Sequence, residues 1–286
     1  MELKMSKYIN PFTDYGFKKL FGEDNTRIYL IDFLNSVLEG HIPQIIEIQH
    51  RRTEMLGRHD TDRNSVFDLY CTTQNGERII IELQKVEQKY FKDRSLYYST
   101  FAVQEQNQKG KIDSKSWDFK LYPVYCVGIL NFDFSDKKKY LHVGRILDIE
   151  DNDLLMPNLN FAFIEMPKFE KDIKSCKTKQ EKWLYTLQNL SYLQEIPKEL
   201  EEEIFLEFFH LAEISALKGE ERGMYEDSLK YYRDIHIIET QNLEKGLEQG
   251  ERKKAVEIAK SMKNEGLDNN LIIKLTGLTQ EEIDKL

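Results

Sequence analysis

The 286 residues are 40% apolar and 32% charged, enough for one large core or two modest ones beneath a heavily charged surface. No run approaches the roughly 20 consecutive apolar residues that span a bilayer, and the first residues lack a signal peptide's apolar region and cleavage site. Three widely spaced cysteines, Cys71, Cys126 and Cys176, argue against a disulfide framework or a Cys-based zinc site, so the chain is expected in the cytoplasm with no membrane partner.

The net charge of −9 is unevenly spread. Residues 1–130 are balanced, with 18 Lys and Arg against 18 Asp and Glu; residues 131–240 carry 15 against 23, and residues 241–286 carry 8 against 9. The first segment can therefore present a locally basic face, and local field governs nucleic-acid binding more than the global sum.

Thr13 caps a short helix through Leu20 and Phe21, with Phe17, Leu20 and Phe21 on one face and Gly22 as its stop. A second helix is predicted from about Thr26 to Glu39, its apolar stripe being Ile28, Ile31, Leu34 and Leu38. A short strand follows at Ile45–Gln49. Residues 50–63 have no apolar periodicity and read as a polar loop holding Arg51, Arg52, Arg58 and Arg63, with DNA-backbone contact and plain solvation as its alternatives. His50 and His59 are too isolated for a zinc site.

Val66–Thr72 and Arg78–Gln84 then read as a hairpin joined through Gln74-Asn75-Gly76, where Asn-Gly favours a type I′ turn. A long helix covers about Glu87–Gln108, a buried strand Pro123–Phe132, and two further strands Tyr140–Leu147 and Asn160–Met166. From Thr178 the pattern is helical: Trp183, Leu184, Leu187 and Leu190 share helix spacing, as do Ile204, Phe205, Phe208, Leu211 and Ile214. The tail is expected to form two or three short helices over Ala255–Met262, Leu271–Leu275 and Gln280–Leu286, with Gly277 ending one and Thr279 and Glu282 forming a capping box. The glycine pairs Gly219/Gly223 and Gly246/Gly250 lie in charged context, unlike a membrane dimer motif.

Two carboxylates stand out on the hairpin. Asp68 is flanked by Val66, Phe67 and Leu69, and Glu82 ends the apolar run Ile79-Ile80-Ile81. A charge in such surroundings is costly unless it is paired or binds a metal. Alternation puts Glu82 and Gln84 on one face and Leu83 and Lys85 on the other. With the turn centred on Asn75-Gly76, Asp68 pairs near position 83, so a bulge or diagonal contact is needed to bring it beside Glu82. Asp68, Glu82 and the Leu83 backbone carbonyl make an all-oxygen set suited to Mg²⁺ or Mn²⁺. The alternative is that the two carboxylates cap strand ends or pair with arginines.

Asp68, Glu82 and Gln84, following Asn-Pro-Phe-Thr-Asp-Tyr-Gly-Phe-Lys-Lys-Leu-Phe-Gly at Asn10–Gly22, resemble the PD-(D/E)XK nuclease superfamily and, within it, the Rpn branch of recombination-promoting nucleases and transposases. Arg94 with Tyr97-Tyr98 and Tyr122-Pro123-Val124-Tyr125 add to the likeness, which spans roughly residues 8–240. The resemblance implies an α/β fold: a restriction-endonuclease-like core with a mixed central sheet flanked by helices, followed by an all-helical C-terminal region. The expected organisation is a nuclease core at 1–170, a helical extension at 171–240 and a helix-turn-helix-like tail at 241–286.

The resemblance further implies that Asp68 and Glu82 bind Mg²⁺, with Asp14 as a further ligand or a helix N-terminal charge. Gln84 stands where the superfamily has lysine; it can orient water or bond a phosphate oxygen but cannot act as a base. The proline of the superfamily name is missing, Ser65, Val66 and Phe67 preceding Asp68. Arg94 and Tyr98, four apart on a helix, share a face, from which Arg94 would reach phosphate and Tyr98 a carboxylate. The expected activity is metal-dependent endonuclease cleavage of DNA, tied to recombination, mobile elements or defence. Symmetric double-strand cutting favours a homodimer. The rival readings are a catalytically degenerate nucleic-acid binder, an oligomeric interaction protein and an RNA-directed nuclease. The acidic tail is as suited to oligomerisation as to DNA.

Overall fold

The computed structural model describes residues 6–51, 54–55, 65–87, 89–107 and 120–286. The motif at Asn10–Gly16 folds as a hydrogen-bonded turn that launches the first helix. Asn10 Oδ1 accepts from the Phe12 N–H at 2.9 Å, and the Asn10 carbonyl accepts from the Thr13 hydroxyl at 2.8 Å. Thr13 Oγ1 in turn accepts from the Gly16 N–H at 3.0 Å, the N-cap bond of helix α1 (Asp14–Phe21). A methyl at Gly16 would sit 2.2 Å from the Asn10 carbonyl oxygen, so only glycine lets the turn close. The predicted cap and the face of Phe17, Leu20 and Phe21 are both present, all three being buried.

Helix α2 (Arg27–Val37) buries Tyr29, Leu30, Phe33, Leu34 and Val37, whereas Ile28 is exposed. Its true stripe is therefore shifted from the predicted one, because the aromatic residues as well as the aliphatic ones turn inward. Strand β1 (Ile48–His50) follows, then β2 (Glu54–Met55) and β3 (Ser65–Val66), which pair only with each other. Strands β4 (Leu69–Thr73) and β5 (Arg78–Gln84) form the predicted hairpin. Helix α3 (Phe91–Gln104), strand β6 (Val124–Leu130), strand β7 (Leu141–Leu147) and strand β8 (Leu154–Glu165) complete the α/β part. Strand β8 starts six residues before the predicted Asn160, because its first half pairs back on β7 beyond a bulge at Arg145–Leu147.

The sheet order is β1-β4-β5-β6-β8-β7. β4 is antiparallel to both β1 and β5, β5, β6 and β8 run parallel, and β7 is antiparallel to β8. This is the expected mixed sheet. One face carries α1, α2, α4 (Lys179–Asn189) and α5 (Glu203–Leu211) over a shared aromatic core that includes Phe21, Phe33, Trp183 and Phe208. The other face carries α3 over Phe67, Tyr70, Ile80, Ala102 and Cys126. Along β5, Ile79, Ile81 and Leu83 enter the first core and Ile80 the second, so Glu82 and Gln84 lie on the α3 side.

Helix α6 (Glu220–Asn264) is 45 residues long and runs through Gly223, Gly246 and Gly250 into the segment expected as the first short helix of the tail. Its contacts divide the chain into Met1–Tyr232 and Arg233–Leu286. In the first unit Tyr225 is buried with Ile9 and Leu217, and its hydroxyl accepts from the Asn10 N–H at 2.9 Å. In the second, the end of α6 packs with α7 (Asn269–Thr276) and α8 (Gln280–Asp284) around Ala259, Ile272, Leu278 and Ile283. Gly277 ends α7 with a left-handed φ of 71°, and Thr279 and Glu282 form the capping box that opens α8. No helix among the described residues is long and apolar enough to cross a membrane.

Candidate active site

The loop of the β4–β5 hairpin sets the geometry of the site. Its residues are Gln74, Asn75 and Gly76, closed by Thr73 N–H to the Glu77 carbonyl at 3.0 Å and Gly76 N–H to the Thr73 carbonyl at 3.0 Å. Only Gly76 has a positive φ, 93°, so this is a three-residue loop with a glycine bulge and not the two-residue type I′ turn expected from Asn-Gly. The extra loop residue moves the register by one: Leu69 faces Ile81, and one further step places Asp68 opposite Glu82, not Leu83. The bulge that the sequence required is thus in the turn itself.

At this end of the hairpin the ladder stops, and Asp68 extends it with its side chain. Asp68 Oδ2 accepts from the Leu83 N–H at 2.6 Å. Burial pushes the Asp68 carboxyl above its ordinary range; the Leu83 N–H pulls it down, while nearby Asp14 pushes it up. Glu82 is 4% exposed. Its Oε2 accepts from Gln84 Nε2 at 3.1 Å, and its Oε1 is buried with no hydrogen-bond partner. Burial first, then the charge of Asp68, raise its pKa to about 8, against the pull of Arg94. A buried carboxylate oxygen left without a partner is costly, and a bound cation would remove that cost.

Among the described residues no three His, Cys, Asp or Glu side chains cluster as a metal site. The donors on hand are two carboxylates and a backbone carbonyl, which suits an ion that keeps several waters, as Mg²⁺ does. The orphaned Glu82 Oε1 fits that role.

Asp14 and Asp68 line a cleft of about 700 Å³ with Lys18 of α1 and Met224, Asp227 and Ser228 of α6. The fold thus brings Asp14 to Asp68, although its own side chain is bonded to Lys18 at 3.2 Å. No sequence motif points to Asp227 and Ser228. Some 160 residues separate them from Asp68, and only the return of α6 onto the N-terminal turn, where Ser228 Oγ accepts from the Tyr15 N–H at 3.1 Å, brings them there. Lys85 also bears on the site. Alternation does turn it away from Glu82 and Gln84, but its charge is felt by Asp68, and it lies 5.3 Å from the Tyr231 ring.

On α3, Arg94 Nη2 donates to the Tyr98 hydroxyl at 3.0 Å, and its charge reaches Glu82. Tyr98 therefore bonds Arg94 and no carboxylate, while its ring packs on Phe67 at 5.5 Å. Arg51 turns elsewhere: its Nε lies 3.7 Å from Glu105 and its guanidinium stacks on Tyr70, beside the Arg78–Glu105 pair. Arg52, Arg58, Arg63 and His59 lie outside the described residues.

Residues 11–242 match the family model described as PD-(D/E)XK nuclease family transposase. The chain belongs to that family. Residues 252–286 separately match the C-terminal HTH domain of the Rpn/YhgA-like nuclease family, the segment that holds the end of α6, α7 and α8. No curated protein and no solved structure matches the chain. A PD-(D/E)XK family transposase with a helix-turn-helix end has a nuclease- or transposase-related role in which DNA is bound, and nucleases of this superfamily typically use divalent metals.

Proposed function

We propose that the protein is a metal-dependent DNA endonuclease that hydrolyses phosphodiester bonds with a metal-activated water, serving recombination, mobile elements or defence in the cytoplasm. The observation that carries this reading is the hairpin register, which sets Asp68 opposite Glu82 and leaves Glu82 Oε1 buried without a partner. Asp68, Glu82 and the Leu83 carbonyl would hold Mg²⁺, or Mn²⁺ in its place, with Asp14 as a further donor. Such an ion supplies a water of lowered pKa and offsets charge on the phosphate.

The chain's own residues supply the rest. The Leu83 N–H fixes the Asp68 carboxylate, and the Gln84 amide fixes Glu82. With a cation held by Glu82, the Gln84 amide would orient the water or bond a phosphate oxygen. Arg94 places a positive charge near the pair for the phosphate. Arg51, Arg52, Arg58, Arg63 and Tyr98 are proposed to contact the DNA backbone, Arg51 after leaving Glu105. Cutting both strands symmetrically calls for two copies of the site, that is, a homodimer. The proposed division of labour is a nuclease core at 1–170, a helical extension at 171–240 and a tail at 241–286.

The test is nicking of supercoiled plasmid with Mg²⁺, Mn²⁺ or EDTA. Metal-dependent nicking by the wild type, lost in Asp68→Ala and Glu82→Ala, is the expected result; equal cutting by all three would sink the reading. The bond between Gln84 and Glu82, where the superfamily has a cation, favours a second reading, a binder with a degenerate site. That reading predicts DNA binding without cutting, and metal binding no different in Glu82→Gln.

A further inference from the structure

The stretch of α6 after Thr240 is unusual for a helix in a folded protein. Residues 240–254 are exposed without a break, and within them Leu243 is 64% and Leu247 60% exposed. Two glycines share their face, Gly246 and Gly250. Glycine in a helix interior is unfavourable relative to alanine, and a stretch this exposed has little of the packing that usually stabilises helices. The chain itself gives no reason for either glycine: a methyl at each would meet nothing within 4 Å, and neither has a positive φ. Leu243, Gly246, Leu247, Gly250 and Lys254 instead line a shallow groove of about 450 Å³ along one side of the helix.

The face is complementary to itself. A second copy laid antiparallel, with the two-fold axis between Gly246 and Leu247, brings Leu243 opposite Gly250 and Leu247 opposite Gly246. Each leucine then meets a glycine, whose lack of a side chain leaves the space that a knob-into-hole contact needs. The same alignment brings Glu239 opposite Lys254, and His236 opposite Glu257, at both ends of the contact. A two-fold interface must use one patch twice, and this patch matches itself in both size and charge. The parallel alternative puts each leucine against its twin and each charge against its like.

We infer that the protein forms an antiparallel homodimer through this face of α6, Leu243 and Leu247 of each copy packing on Gly250 and Gly246 of the other. The inference stands whether or not the hairpin carboxylates cut DNA.

Light scattering on the full chain decides it. The wild type is expected at twice its 34.0 kDa mass at micromolar concentration, and the Leu243→Glu/Leu247→Glu double variant at the single mass. Charge exchange fixes the alignment. Glu239→Lys should raise the dimer dissociation constant several-fold, and adding Lys254→Glu should restore it. Fifteen residues apart on one helix, those two side chains are about 22 Å distant along the axis and cannot rescue each other within a chain. Gly246→Ala/Gly250→Ala should gain helical circular dichroism yet lose dimer, a divergence that a purely intrachain role would not produce. A wild type at the single mass, or a dimer indifferent to the double leucine variant, overturns the proposal. A dimer that survives it while Glu239→Lys is not rescued would mean that the copies meet elsewhere.

Discussion

Two buried glutamates, on the strands β5 and β8 that flank β6 in the same sheet, are treated in opposite ways. Glu165, at the end of β8, is fully buried and fully engaged: it accepts from Ser135 Oγ at 2.6 Å and the Phe134 N–H at 3.1 Å, and pairs with Lys168 at 2.5 Å and His142 at 2.7 Å. Burial alone would raise its pKa, but Lys168, Ser135 and the Phe134 N–H outweigh it and hold the carboxyl below its ordinary value. Glu82, on β5, has one bond from Gln84 and one bare oxygen, and its pKa goes up. The difference separates a carboxylate whose folding partners are all in the chain from one whose partner is missing. Burial is common to both; what sets Glu82 apart is a carboxyl oxygen with no hydrogen-bond partner, the feature on which the proposed metal site rests.

The comparison is broken most directly by activity. Glu82→Ala and Asp68→Ala should each lower metal-dependent nicking by about 100-fold or more, since even outer-shell partners of a metal contribute about 10–100-fold. Glu165→Gln should leave cutting within a few-fold of wild type once corrected for the folded fraction. A Glu165→Gln loss as deep as that of Glu82→Ala would erase the distinction.

Stability should reverse the order. Glu165→Gln removes the charge partner of the half-buried Lys168, which keeps only its bonds to Ser135, and is expected to cost about 3 kcal/mol in urea unfolding. Glu82→Gln, which replaces an unsatisfied acid with a neutral isostere, should be neutral or stabilising in EDTA. A Glu82→Gln variant as destabilised as Glu165→Gln would show that Glu82 also serves the fold.

A smaller effect lies in the acid limb. Because the folded pKa of Glu165 is depressed below 4.5, its contribution is fully present above that pH and is lost as pH falls through the lowered value. Between neutral pH and about 4.5 the difference in stability between wild type and Glu165→Gln should therefore stay constant, and below it the two curves should converge. Parallel curves down to the acid transition would contradict the depressed pKa.

The smallest expected effect tests the register on which the site depends. Gly76→Ala forces a Cβ into a left-handed residue and to within 2.8 Å of the Tyr122 ring. It should cost about 1–2 kcal/mol, measured by thermal unfolding, and reduce nicking if the turn sets the Asp68–Glu82 alignment.

Much of the fold is legible in the residues alone. The Thr13 cap, the β4–β5 hairpin, the buried β6 run, and Gly277 with the Thr279 capping box all rest on local chemistry, a side-chain oxygen meeting an N–H a few residues away or an apolar run between breakers. That Asp68 and Glu82 lie on one hairpin is legible for the same reason, since a hairpin joins residues close in sequence, but their register is not. Periodicity misplaces the α2 stripe because Tyr29 and Phe33 face inward to meet Phe208 and Phe21 from other elements. It also misses the length of α6, whose last part reads in the sequence as a separate short helix at Ala255–Met262.

Composition and periodicity thus point to an α/β front and a helical back half and single out the two carboxylates, while the mixed-sheet core and the reading of Gln84 as standing in for lysine come from the family resemblance. Folding in three dimensions settles the rest. It chooses a three-residue loop over a two-residue turn and so places Asp68 opposite Glu82. It engages Glu165 and leaves Glu82 Oε1 bare, and it brings Asp227 and Ser228 to the same cleft as Asp68. These outcomes depend on which distant groups share a buried volume, and a linear pattern, whose interactions reach only a few residues along the chain, holds no record of that volume.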